Sequence, residues 1–193
     1  MDLIETVLVT NGNIQNFNLH LARVKRSFEF FKWKFNQKEW ENLKEKFTFK
    51  QKPLRARITY NHSGIKEIEL FEIKKREFKT FKVVEINFDY SFKFKNRKHF
   101  ENLHLKYKAD EFILVKNNLI TDTTISNLAF FTGNEWLSPK TPLLKGTMRE
   151  KLIKENRIKL SNIHKSDLKY FKKIAMINAI LGFREIEDFD IIN

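Results

Sequence analysis

Four times along the chain a short run rich in Val, Ile, Leu, Phe and Thr meets a turn built from Asn, Ser or Gly, and this punctuation constrains the fold more than any other feature. Leu3–Thr10 runs into Asn11-Gly12, and residues 55–60 are divided from residues 65–73 by His62-Ser63-Gly64. Glu111–Lys116 meets residues 119–121 across Asn117-Asn118, and Asn127–Phe131 meets residues 135–137 across Gly133-Asn134. β-Branched and aromatic side chains suit a pleated surface, whereas Asn and Gly accept the left-handed backbone of tight turns. The first two patterns read as a strand entering a turn and as strand, turn, strand. The last two read together as a β-meander. Further strands are expected over residues 80–88 and over a final stretch, residues 174–180.

Helical periodicity falls in the gaps. With Asn18 as N-cap, Leu21, Val24, Phe28 and Phe31 keep a helical spacing to about Phe35, and a second helix is expected from Lys38 to Phe47, with Pro53 stopping it. Helices are also expected from Thr147 to Glu155 and from Ser166, a good cap, to Lys173. Residues 89–108 give no decisive pattern. Polar residues cluster at 74–79, which predicts a small N-terminal α/β domain, residues 1–79, and a larger domain, residues 80–193. A hydrophobic share of 41%, with 14% aromatic, is enough to build a core for chains of this size.

Several chemistries are excluded by what is missing. The glycines, Gly12, Gly64, Gly133, Gly146 and Gly182, are too dispersed for a dinucleotide fingerprint, a Walker-type phosphate loop or a hydrolase nucleophile elbow. The absence of cysteine removes disulfides, zinc-thiolate sites and thiol catalysis. His20, His62, His99, His104 and His164 show no metal-ligand spacing, so no metal is expected. The net charge of +13 is spread singly among Phe, Ile and Glu rather than gathered in an arm; it favours a small anionic ligand over nucleic acid. No membrane span or signal peptide is expected, since the longest apolar run, residues 174–183, is short and the start is acidic. Cytoplasm is the expected compartment.

Four separated segments, in order, resemble the fold-type IV pyridoxal-phosphate enzymes, the family of branched-chain and D-amino-acid aminotransferases and 4-amino-4-deoxychorismate lyase. Ile4-Glu5-Thr6 with His20-Leu21-Ala22-Arg23 is similar to the family's ET strand and HLxRL helix. Lys93-Phe94-Lys95-Asn96-Arg97 resembles its lysine segment. The run Asp110-Glu111-Phe112-Ile113-Leu114-Val115-Lys116, continuing to Thr121-Asp122-Thr123-Thr124-Ile125-Ser126-Asn127, resembles its DE hairpin and TExxxSN loop. Ser138-Pro139 and Leu144-Lys145-Gly146-Thr147-Met148-Arg149 resemble its TP and GxxR elements.

The resemblance implies a two-domain α/β (α+β) fold, with a small N-terminal α/β domain and a larger, β-barrel-like C-terminal domain with helices. It implies pyridoxal 5'-phosphate as cofactor and a homodimer. Lys93 is the implied catalytic and cofactor-bearing lysine, a role that needs an amine made reactive by burial or a neighbouring cation such as Arg97. Without the flanking pattern Lys93 is one lysine among many, Lys95, Lys98, Lys106 and Lys108 lying close by. Asp122 stands where the family carries Glu, one methylene longer, beside the pyridine nitrogen; a turn-capping Asp is the plain alternative. Arg23 is the implied phosphate-binding arginine, against an exposed basic residue on an amphipathic helix. Backbone N–H groups of Thr147 and Met148, opening a helix, and of Ala179 are the implied further phosphate donors. Arg57, with Arg55 beside it, is a candidate for the substrate carboxylate.

An arginine four residues after the lysine resembles the lyase subgroup, where branched-chain aminotransferases place a tyrosine. The opening segments also resemble lyase domains attached to aminodeoxychorismate synthase, a possible partner. The implied reaction converts 4-amino-4-deoxychorismate, a small anionic amine, to p-aminobenzoate and pyruvate. A class IV amino-acid aminotransferase and a cofactor-free anion-binding protein with this fold are the alternatives.

Overall fold

A computed structural model of the protein describes residues 1–47 and 52–192. The chain forms two compact units, one of Met1–Lys75 with Phe92–Asn96 and one of Arg76–Ser91 with Arg97–Asn193. The chain leaves the first unit within the polar stretch 74–79 and returns to it for five residues that include Lys93.

The first unit holds a four-stranded antiparallel sheet ordered β2-β1-β3-β4, from β1 (Leu3–Thr10), β2 (Asn13–Ile14), β3 (Leu54–Asn61) and β4 (Gly64–Glu72). Alternation sends Leu3, Val7 and Val9 of β1 and Ala56, Ile58 and Tyr60 of β3 to one face, where Val24 and Phe28 of α1 (Phe17–Phe30) pack against them. Gly64 opens β4 at φ +94°, a conformation that L side chains rarely adopt, and so lets the β3–β4 turn close.

Two helix boundaries differ from the sequence expectation. Asn16, in the left-handed region, precedes α1 in place of Asn18, and the helix stops at Phe30, short of Phe35. Lys32 turns to φ 56°, and Trp33 and Phe35 fold back to meet the Phe28 ring edge-on at 5.5 and 5.3 Å. Aromatic burial there outweighs one more helical turn. The second helix is α2 (Gln37–Glu41), capped by the Asn36 side chain, which tightens into a 3-10 turn over Asn42–Phe47 as Trp40, Leu43 and Phe47 sink into the core.

The second unit carries two sheets. One is ordered β13-β5-β6-β7, from β5 (Thr80–Glu85), β6 (Glu111–Lys116), β7 (Leu119–Ile120) and β13 (Asp190–Ile192). Its pairings β13–β5 and β5–β6 are parallel, and α3 (Lys98–Lys106), in the stretch that had no sequence assignment, lies on the crossover from β5 to β6. The other is ordered β10-β9-β8-β11-β12, from β8 (Asn127–Phe131), β9 (Trp136–Pro139), β10 (Lys159–Ser161), β11 (Ile174–Asn178) and β12 (Gly182–Ile186). Phe81, Ile113 and Val115 of the first sheet share a core with Leu128, Phe130, Ile174 and Met176 of the second. The barrel-like body is thus two sheets over one core. On the far face of the second sheet, Leu152 of α4 (Thr147–Lys154) packs with Ala129, Ala175 and Ile177.

The expected meander is corrected: β6–β7 and β8–β9 are hairpins of different sheets, because the chain crosses between them through a polar loop at residues 121–126. β5 ends at Glu85, not Phe88. The helix expected from Ser166 is a 3-10 turn, Lys165–Tyr170, closed by reciprocal capping between His164 and Asp167. The last expected strand stops at Asn178, and two further strands, β12 and β13, follow it. Their short, charge-interrupted sequences carry little periodic signal; pairing with β11 and β5 makes them strands.

Candidate active site

Lys93 is held on a single-bridge extension of the first sheet. Phe94 bridges Leu3, Ile4 donates to the Lys93 carbonyl at 2.8 Å, and the Lys95 N–H donates to the Asp2 carbonyl at 2.9 Å. Phe94 packs against the core face, and Lys95 pairs with Glu67 at 3.2 Å, so the lysine-bearing segment is tied down on both sides of Lys93.

Arg23 is neither surface-exposed nor isolated. Its Nε donates to Glu5 Oε1 at 2.8 Å and its Nη2 to Oε2 at 2.6 Å, and His20 Nδ1 lies 2.6 Å from Oε2. The helical spacing of His20 and Arg23 and the inward alternation of Glu5 bring the three together beneath α1. Burial alone would push the Glu5 carboxyl up, but the Arg23 guanidinium and His20 outweigh it and hold it down at about 2. Arg57, half-exposed, makes a two-pronged pair with Glu69 at 2.7 and 2.8 Å, and its guanidinium lies 5.2 Å from the Phe71 ring centre.

In the second unit the loop between β7 and β8 is a hub for the other candidates. Asp122 is buried at its start; its Oδ1 accepts from Asn127 Nδ2 at 2.7 Å and its Oδ2 from the Leu144 N–H at 2.9 Å. Burial pushes this carboxyl up to about 7, against hydrogen bonds from Leu144 and Asn127 and the charge of buried Arg149. The one-methylene-shorter side chain is thereby anchored to the backbone before α4. Asn127 Nδ2 also reaches the Leu144 carbonyl at 2.8 Å, and Gly146 faces its Oδ1 so closely that a Cβ there would overlap it. Thr147 and Met148 open α4 directly after this glycine, whose helix start has no side-chain cap.

Arg97 joins the same loop. Its Nη2 donates to the Thr124 carbonyl at 2.6 Å, its Nη1 to Tyr90 Oη at 3.2 Å, and the guanidinium stands 4.8 Å from the Phe100 ring centre. Ala179 lies in the turn after β11, not within a strand; Asn178 closes that turn by accepting from Ile180 and Leu181 N–H, and its Nδ2 donates to Ser126 Oγ at 2.9 Å. The loop therefore connects Arg97, Asp122, the start of α4 and the Ala179 turn within one unit. Lys93, Arg23 and Arg57 belong to the other.

The sequence reading assigned no role to Glu111, Thr124, Arg149 or Asn178. A lone carboxylate opening the apolar strand Glu111–Lys116 was a usable signal for Glu111; Asn178 had none. Among the described residues, no three His, Asp or Glu side chains are grouped to hold a metal, and no helix is long and apolar enough to cross a membrane.

The fold is a mixed α/β architecture with several sheets and few helices. The profile of the amino-transferase class IV family matches residues 91–189, and the chain belongs to that family; it is a pyridoxal-phosphate-dependent enzyme. An uncharacterised protein of Haemophilus influenzae is 38% identical over 189 residues, 93% of this chain and 98% of that one. A crystal structure of a candidate 4-amino-4-deoxychorismate lyase from Haemophilus somnus is similar with a TM-score of 0.84 at 32% identity, covering 94% of this chain and 97% of the other. A candidate amino-acid aminotransferase from Mesorhizobium loti shares the fold, with a TM-score of 0.84 at 21% identity over 95% of this chain and 97% of that one.

Proposed function

We propose that the protein is a 4-amino-4-deoxychorismate lyase, releasing p-aminobenzoate and pyruvate for folate biosynthesis. The observation that carries this reading is Arg97, four residues after Lys93 and fixed by the Thr124 carbonyl at 2.6 Å, where the family resemblance leads one to expect a tyrosine nearby in branched-chain aminotransferases. The 32% identity to the candidate lyase of Haemophilus somnus supports it.

The residues present fit the cofactor. Asp122 is a buried carboxyl raised to about 7 that gains a favourable partner in a ring nitrogen able to share its proton. Thr147 and Met148 open α4, and their backbone N–H groups are assigned to the cofactor phosphate. Arg97 and Ala179 complete the assigned holders of the group, whereas Arg23 and Arg57 are taken up by two-pronged pairs with Glu5 and Glu69. Bound pyridoxal phosphate supplies an electron-accepting ring for the charge released at the amine-bearing carbon. Lys93 Nζ takes the proton from that carbon. A proton delivered to the enolpyruvyl methylene then expels pyruvate, and aromatisation of the remaining ring drives the step. In an aminotransferase the same proton would be returned elsewhere and a keto acid would form. We assign the protein to a homodimer in the cytoplasm, with aminodeoxychorismate synthase as its supplier of substrate.

The test is the visible spectrum of the purified protein with added pyridoxal phosphate, borohydride trapping with peptide mapping, and product analysis. A band trapped on Lys93 with p-aminobenzoate release is expected. Keto-acid formation from amino acids without p-aminobenzoate would replace the lyase with an aminotransferase. A protein that takes up no cofactor would leave the anion-binding alternative.

A further inference from the structure

We propose that Glu111 is a positioning residue that holds Arg97 in place through Thr124. Arg97 Nη2 donates to the Thr124 carbonyl at 2.6 Å, so the direction of that carbonyl sets where the guanidinium lies. The other polar groups of Thr124 are both bound by Glu111: Oε1 accepts from Thr124 Oγ1 at 2.7 Å and from its N–H at 3.2 Å. With its N–H and hydroxyl on one oxygen, Thr124 is fixed in position and rotamer by Glu111, and the peptide plane that carries its carbonyl is held at the other end by the Ile125 N–H donating to Thr123 Oγ1 at 3.2 Å. Glu111 is itself fully buried at the start of β6, with the same Oε1 accepting from the Phe112 N–H at 2.9 Å.

The carboxylate is used one-sidedly. Oε1 takes three donors, whereas Oε2 is buried without a hydrogen-bond partner among the described residues. A buried unpaired oxygen is unfavourable and adds nothing to the packing of an otherwise apolar strand. What the side chain contributes is a single, well-placed acceptor for Thr124. A glutamine keeps an acceptor oxygen at that place, at a cost in stability for the amide N–H groups buried where Oε2 bonds nothing. Alanine supplies no acceptor there. Thr124→Val removes the hydroxyl donor at nearly constant shape, and Thr124→Ser keeps it.

The positioning itself is read on the protein without cofactor, so that it does not depend on the proposed lyase reading, although its catalytic meaning rests on that reading. Phenylglyoxal modification is followed by peptide mass spectrometry, with exposed Arg55 and Arg157 as internal references. In Glu111→Ala, and less strongly in Thr124→Val, the Arg97 rate relative to the references should rise roughly five- to tenfold, the shift expected from losing one ordinary hydrogen bond. Glu111→Gln and Thr124→Ser should stay near the parent. If Glu111→Ala and Thr124→Val lower the melting temperature but leave the relative Arg97 rate unchanged, Glu111 is only structural and the proposal fails. In the cofactor-loaded protein, the pH midpoint of the visible band should move in the same direction in Glu111→Ala as in Arg97→Met, and no further in the double variant. A midpoint that Glu111→Ala moves equally with Arg97 already replaced overturns the proposal, because the effect then bypasses Arg97. Loss of all cofactor uptake in the parent sinks the lyase reading alone, since the modification rates still decide the positioning.

Discussion

Two buried carboxyls of similar chemistry are driven in opposite directions by what surrounds them. Glu5 faces a guanidinium and an imidazole at 2.6 to 2.8 Å, and their attraction exceeds the burial penalty. Asp122 is held by a backbone N–H and an amide, both neutral, and burial wins. Glu5→Gln removes the carboxylate charge that Arg23 and His20 share and should lower stability by about 3–5 kcal/mol in urea denaturation. Because the folded Glu5 carboxyl lies near 2, below its ordinary 4.5, its stabilisation is present above pH 4.5 and lost as the pH falls towards 2. Asp122 behaves oppositely. Its folded value of about 7 exceeds the ordinary 3.8, so the native state without cofactor loses stability as pH rises from about 4 to 7, by on the order of a few kcal/mol. Asp122→Asn should flatten that slope in melting curves taken across this range; an unchanged slope would show that Asp122 is not its source.

At the scale of elements, the turn from β7 to β8 is organised by its own polar side chains. Thr123 Oγ1 accepts from the N–H groups of Ile125 and Ser126 at 3.2 and 3.0 Å, and Asn178 Nδ2 donates to Ser126 Oγ at 2.9 Å from the end of β11. Gly146 gives the loop its contact with the start of α4, since only hydrogen leaves room for Asn127 Oδ1. Gly146 has an ordinary negative φ of −73°, so a substitution there tests crowding rather than backbone strain. Gly146→Ala should cost about 1–3 kcal/mol in chemical denaturation, the usual range for overpacking, by displacing the amide that serves both Asp122 and Leu144. Serine would crowd the amide further. These dependencies were not legible beforehand: Gly146 read as a helix start and Asn127 as part of a motif, and the overlap exists only once both backbones are placed.

At the scale of the whole chain, the C-terminal strand is the least expected structural contributor. β13 pairs in parallel with β5, matching Asp190 to Thr80, Ile191 to Phe81 and Ile192 to Lys82, and Phe189 meets the Phe81 ring edge-on at 5.9 Å. Deleting residues 188–193 strips an edge from the sheet that carries Glu111 and exposes part of a large core ring. A loss of about 2 kcal/mol, seen as a melting temperature several degrees lower, is the expected outcome. Unchanged melting would mean that β13 contributes nothing to the unit.

The sequence by itself determined the strands whose apolar alternation is strong and whose turns carry Asn or Gly, the start of α4, and the ordered motifs that mark the family. These rest on short-range rules: pleat, helical period, and the backbone freedom of turn residues. Only the tertiary structure decided that β7 and β8 lie in different sheets, that Trp33 and Phe35 leave the helical path to cover Phe28, and that β12 and β13 exist. It also decided the state of the polar residues, which depends on partners far away in the chain: Arg23 committed to Glu5, Arg57 to Glu69, Arg97 to Thr124, and Glu111 to the same threonine. A buried polar group takes whichever donor or acceptor the packing brings to it, and the energy of that choice is set by burial and geometry that no local pattern contains.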